Sequence, residues 1–151
     1  MEHMAEFVSP HVGHNNMEIS KKGPLMIEVG AGELIDKITI LQIKAGGITD
    51  PAKLKNVKHE LDVLSRARAE HLGQADALDR LEDELRKVNE ALWVIEDDIR
   101  ACEAARDFGS KFIELARSVY IQNDKRAAIK KSINELSGSS IIEEKSYTEF
   151  T

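Results

Sequence analysis

Between Leu78 and Cys102 the apolar residues fall at Leu78, Leu81, Leu85, Val88, Leu92, Ile95, Ile99 and Cys102. The steps alternate three and four, the a/d spacing of a coiled-coil seam, whereas a strand would alternate by two. A helix about 37 Å long is predicted at ~1.5 Å per residue. Its apolar stripe is narrow and needs a partner helix. Upstream, Leu54, Val57, Leu61 and Leu64 repeat the same spacing. Thr49-Asp50-Pro51 supplies the start of that earlier helix: either polar residue can cap it, and Pro suits the first helical position. Gly73 is a candidate C-cap, and Asp76 or a neighbour can start the next helix. Two seams joined by so short a link predict an antiparallel, coiled-coil-like helical hairpin, Pro51–Leu72 against Ala75–Arg106.

The flanks predict further helices. Pro24 to Val29 (PLMIEV) has the character of a short strand. Gly30-Ala31-Gly32 turns the chain into a helix with Leu34, Ile35, Ile38, Ile40 and Leu41 on its buried side, ending at Gly46-Gly47. After Gly109 another helix carries Phe112, Leu115, Ala116, Val119, Tyr120, Ala127, Ile133 and Leu136 at three-to-four spacing, and Gly138 ends it. The tail, IIEEKSYTEF, is expected to pair with PLMIEV as a terminal strand or to dock on the hairpin. The fold class is therefore all-α: a hairpin with N-terminal and C-terminal packing helices and short terminal strands. Residues 1–23, rich in Gly, Asn, Ser and His, read as a flexible leader whose opening MEHM is partly of cloning origin. Residues 24–151 form a single helical domain.

Composition narrows the function classes. Charged residues make up 32% of the 151 positions and aromatics 5%, a balance suited to long solvated helices. Acidic residues outnumber basic ones 27 to 21, for a net charge of −6, which argues against bulk nucleic-acid binding. The single cysteine excludes an intrachain disulfide, and its seam position predicts a buried thiol. No long apolar run or signal pattern is present, so neither a membrane span nor export is expected, and a cytoplasmic location is the simplest reading. Apolar faces left over by a two-helix seam predict a homo-oligomer, simplest as a dimer, or a protein partner.

Candidate chemistry lies in three places. With Leu78 as position a, Glu82, Asn89, Glu96 and Glu103 share position e, and Arg100 lies beside them. Such a line can pair with cations on a neighbouring helix or collect Mg²⁺. On the last helix Tyr120, Asn123, Ala127, Lys130 and Asn134 continue the direction of the apolar face, with Asp124 and Arg126 alongside. Polar groups on a face that points inward require partners. The expected site is thus a polar cleft built from Tyr120, Asn123, Asp124, Arg126, Lys130 and Asn134, the flank of Glu96 and Arg100, and the Glu33 turn. Lys130 would contact an anion, while Asn123 and Asn134 would hydrogen-bond a small polar ligand. No cofactor or metal is required by this reading. The third place is Glu33-x-x-Asp36, the carboxylate spacing that all-α nucleotide pyrophosphohydrolases use for Mg²⁺. An alternative reading therefore gathers Glu33, Asp36, Glu96 and Glu103 around Mg²⁺ as a phosphohydrolase. A purely structural coiled-coil adaptor is a further alternative. His11 and His14 form an H-x-x-H pair that Pro10, Gly13 and Asn15 make a poor helical metal site.

Several phrases together, GELIDKITIL, KLKNVKHEL, LWVIEDDIR, FIELARSVYIQNDKRAAIKKSIN and IIEEKSY, resemble a family of small bacterial proteins known as a domain of unknown function. The likeness runs from about Ile27 to Tyr147. It implies no catalytic residue, but it does imply a link with glycosyltransferase or cell-surface polysaccharide functions and hence a sugar-nucleotide ligand. The chain departs from the family's expected pattern at Gly30, where a Ser or Thr is expected nearby, which removes the expectation of a side-chain cap or ligand contact at that turn.

Overall fold

The computed structural model describes residues 23–150; the expected leader up to residue 22, with the His11/His14 pair, lies outside them. Among the described residues there are four helices and no strand: α1 (Ala31–Gly47), α2 (Pro51–His71), α3 (Asp76–Ala105) and α4 (Ser110–Ser137). The all-α class is as expected. No helix among the described residues is long and apolar enough to cross a membrane.

The most apolar of the four, α1, takes the centre and packs on each of the others. Ile35 and Asp36, then Ile38 and Thr39, are buried as adjacent pairs, so more than one stripe of this helix is enclosed. Ala31, Ile35, Leu78, Leu85 and Ile133 form the core cluster, with Leu72, Leu81 and Ile129 packed against it. Burial of a Leu or Ile side chain here contributes about 1.5–3 kcal/mol each. Cys102 is buried and unpaired, as its seam position predicts.

The expected hairpin is corrected by the packing. The α2 and α3 helices do not pack on each other: α2 lies on α1, and α3 lies on α4 and α1. They meet through side chains beside their connection, where Arg68 Nη2 donates to Glu82 Oε2 at 2.7 Å. The hairpins are α1 with α2 and α3 with α4. A heptad seam specifies a narrow apolar stripe but not which helix covers it, and the three connections are all short. On α1 the stripe is wide enough to serve three neighbours at once.

The helix ends follow local chemistry. Asp50 caps α2 through Ala52 N at 2.9 Å and Lys53 N at 3.1 Å, with Pro51 at the first helical position. Gly138 takes a left-handed conformation (φ 64°) and ends α4, with Ser139 N donating to Asn134 O at 2.9 Å. The segments 24–29 and 141–150 form no regular structure. They do not pair as strands and approach each other near Glu28, where Ser140 Oγ donates to Glu28 Oε1 at 3.0 Å.

Candidate functional site

The close contact of α1 with α4 begins at Gly30-Ala31-Gly32. A Cβ on Gly32 would collide with the Lys130 carbonyl oxygen, and one on Gly30 would lie 2.7 Å from Asn134 Oδ1 and 2.8 Å from Ile141 O. Glycine thus lets the start of α1 rest on the backbone of α4. There the Gly32 N–H donates to Asn134 Oδ1 at 2.7 Å and the Ala31 N–H donates to Ser139 Oγ at 3.0 Å. Gly30 O accepts from Glu33 N and Leu34 N. The free N–H groups of the helix start, which can otherwise hold an anion, are therefore capped from the far end of the chain. Asn134 and Ser139 do what a local Ser or Thr would have done, so Asn134 is a cap rather than a free ligand contact.

Contacts between α1 and α4 then follow an antiparallel register, from Gly32–Asn134 through Glu33–Lys130 to Asp36–Arg126. Asp36 is 1% exposed. Its Oδ1 accepts from Arg126 Nε at 2.9 Å and from Asn89 Nδ2 at 2.9 Å, and Arg126 Nη2 donates to Oδ2. Asn89 Nδ2 also donates to Thr39 Oγ1 at 2.9 Å, and that hydroxyl donates to the Asp36 carbonyl at 2.9 Å. One layer above, Lys130 Nζ donates to Glu33 Oε2 at 2.7 Å and to Glu143 Oε2 at 3.0 Å, and lies 3.8 Å from Asp36 Oδ2. No buried side-chain N or O among the described residues lacks a partner, which is what a buried polar layer requires.

Two adjoining depressions open from this layer. A recess of about 230 Å³ is lined by Glu33, Arg126, Ala127, Lys130, Glu143 and Lys145. A groove of about 600 Å³ runs between α4 and the tail, lined by Val119, Tyr120, Asn123 and Asp124 on one side and Lys145, Tyr147, Thr148 and Phe150 on the other. Lys145 belongs to both. The rings of Tyr120 and Phe150 meet edge to face, 4.8 Å between centroids. On the other side of the Lys130 cluster a smaller hollow of about 150 Å³ reaches Gly30, Asn134 and Ile141.

The charges reinforce one another. Asp36, hydrogen-bonded to Arg126, raises the guanidinium's already high pKa. Burial pulls the Lys130 ammonium down, but Glu33 and Glu143, helped by Asp36, outweigh it and hold its pKa above the ordinary lysine value. The hydrogen bond and charge of Lys130 in turn hold the Glu143 carboxyl below its ordinary range. A carboxyl with a lowered folded-state pKa contributes its contact fully above its unfolded pKa and loses it as pH falls through the lowered value. The Glu143 contact therefore persists in mild acid and fails only in stronger acid, and Lys130 keeps its charge to higher pH than an ordinary lysine. Carboxyl-carbon NMR is expected to show Glu143 titrating below the ordinary glutamate value, and at that value in Lys130→Met; an unchanged midpoint would count against the pairing.

Of the expected site residues, the structure sets Arg126, Lys130 and Asn134 on α4 against Asp36, Glu33 and Gly32 on α1, while Tyr120, Asn123 and Asp124 line the groove further back along α4. The Glu96–Arg100 flank is not among them: Glu96 Oε1 accepts from Arg100 on its own helix at 2.9 Å, in water. The line at position e divides. Glu82 and Asn89 are buried, whereas Glu96 and Glu103 are exposed. Gly47, the last residue of α1, lies beside Trp93, so α3 beyond that level has no α1 to cover it. Glu96 and Glu103 stand about 10 and 21 Å along α3 from Asn89 at ~1.5 Å per residue. The four carboxylates of the Mg²⁺ reading are thus not gathered, and among the described residues no three His, Cys, Asp or Glu side chains are placed to hold a metal ion. Sequence reading set Asn89 on the line at position e without counting it as a site residue, and that position alone does not mark it as buried, since Glu96 and Glu103 share it and are exposed. The same reading missed Glu143, Lys145, Tyr147 and Phe150, which sit on a tail without periodicity. Comparison with the curated proteins and with the solved structures returned no match. The resemblance seen in the phrases from Ile27 to Tyr147 has its counterpart in a family model covering residues 25–150, and on that match the chain belongs to the Family of unknown function (DUF6165).

Proposed function

We propose that the protein is a non-catalytic binding and accessory protein that takes a small ligand carrying both a ring and an anionic group, of the nucleotide-sugar class, between α4 and the C-terminal segment. The observation that carries this reading is the junction at Lys145 of an aromatic, amide-bearing groove with a recess lined by three cations. The groove's volume is within the range of small-molecule sites. Tyr120, Tyr147 and Phe150 offer ring faces, Asn123 and Asp124 offer hydrogen bonds to hydroxyls, and Arg126, Lys130 and Lys145 favour the anionic end. A binding role is favoured over hydrolysis because the carboxylates of the layer are engaged: Asp36 by Arg126, and Glu33 and Glu143 by Lys130. None is left as a free general base. Exposed Trp93, Val94, Phe108 and Ile113 supply apolar area for self-association or a protein partner. A cytoplasmic setting and a link to polysaccharide assembly belong to the same reading.

A thermal-shift panel of nucleotide sugars, nucleotides and divalent ions tests it. At a concentration about a hundred times Kd, a ligand of this class should raise Tm by about 5–10 °C. Lys130→Met should abolish the rise. An equal rise in that variant would reject the site, and no rise with any nucleotide sugar would reject the ligand class.

A further inference from the structure

We propose that the recess around Lys130 is a phosphoryl subsite and that Glu143 is its internal stand-in, displaced when a phosphoryl group binds. This inference rests on the ligand site proposed above and names the group that enters its charged end. Lys130 is 13% exposed in its side chain and carries two carboxylates of unlike standing. Glu33 is held on α1, inside a rigid helix. Glu143 lies on a segment without regular structure, and its side chain is 55% exposed. Its hydrogen bond to Lys130, at 3.0 Å against 2.7 Å for Glu33, is the longer and more exposed of the two and so the weaker commitment, since an exposed ion pair adds little. Beneath it Asp36 is already committed to Arg126. If Glu143 swings outward, Lys130 and Lys145 face the recess with only Glu33 between them, and an incoming anion replaces the charge withdrawn. The pyrophosphate bridge of a nucleotide-sugar ligand also offers acceptor oxygens on two phosphates, enough for Lys130, Lys145 and the outer edge of Arg126 together, where a carboxylate offers two.

The experiment uses the whole chain and inorganic pyrophosphate as the probe. Calorimetric titrations compare wild type, Glu143→Gln and Glu144→Gln, the last removing the same charge one residue along. Carboxyl-carbon NMR of Glu143, with and without pyrophosphate, reads the exchange directly. Expected results are pyrophosphate binding about tenfold tighter in Glu143→Gln than in wild type, and little change in Glu144→Gln. The Glu143 midpoint should rise towards the ordinary glutamate value in wild type at saturation. Equal gains in the two Gln variants would reduce the effect to net charge and overturn the proposal, as would a Glu143 midpoint that pyrophosphate leaves unchanged. Wild type that binds a nucleotide sugar while Glu143→Gln binds it no tighter would sink the stand-in alone. Failure of both chains to bind pyrophosphate or any nucleotide sugar would sink the stand-in and the ligand site together.

Discussion

Arg126→Met is expected to destabilise the protein by about 3–5 kcal/mol, the usual cost of stranding one member of a buried ion pair. Asp36 is 1% exposed and relies on Arg126 at both carboxylate oxygens. Without it, Asn89 still donates to Oδ1, and Lys130 stands 3.8 Å from Oδ2, so the loss should sit nearer the lower bound. The cost arises from an uncompensated charge and not from lost attraction alone. The double variant Asp36→Leu/Arg126→Met should therefore recover most of the stability, because an apolar pair of similar volume needs no partner. Asn89 Nδ2 would keep Thr39 Oγ1 as an acceptor. Guanidinium midpoints of the two variants and the wild type check this. A single variant within about 1 kcal/mol of wild type, or a double variant no better than the single, would show that the polar layer does not hold the α1–α4 contact.

Gly32→Ala is the second large effect, and its sign is the informative part. By helix propensity alone, Ala in place of Gly inside a helix gains about 0.8–1 kcal/mol. Here the added Cβ meets the Lys130 carbonyl, with the carbonyl carbon 3.0 Å away and Asn134 Oδ1 3.1 Å away. Two of these atoms are helix backbone and cannot rotate aside. The variant must lift α1 from α4, stretching the Gly32–Asn134 hydrogen bond and the Glu33 and Asp36 pairs that follow in register. A net loss of about 1–3 kcal/mol is expected, the range for overpacked contacts. Gly46→Ala, whose Cβ would meet nothing within 4 Å, is the control and should be neutral or mildly stabilising. If Gly32→Ala behaves like Gly46→Ala in urea denaturation, the helices are not in close contact at that point.

The helices themselves were legible from three-to-four periodicity, and their ends from Asp50-Pro51, Gly46-Gly47 and Gly138. So was the inward turn of the polar residues on α4, because Lys130 and Asn134 continue the direction of Phe112, Ala116 and Val119. The partners of those polar groups were not legible. Glu33 and Asp36 suggested a metal pair by their spacing, yet each is matched to a cation of α4 one turn apart in an antiparallel crossing. The Glu96 flank was misplaced because a heptad position is defined relative to a partner, and α1 ends at Gly47 before reaching it.

Local order was settled by the chain's own residue sequence: which segments are helical, where they stop and which faces are apolar, since these depend on hydrogen bonds and side chains within a few residues of one another. Which helix lies at the centre was decided only in three dimensions. Gly32 admits the backbone of α4, and the side chains that close the polar layer come from 53, 90 and 97 positions away. Such pairings carry no local periodic signal, because their energy exists only after the backbones have met.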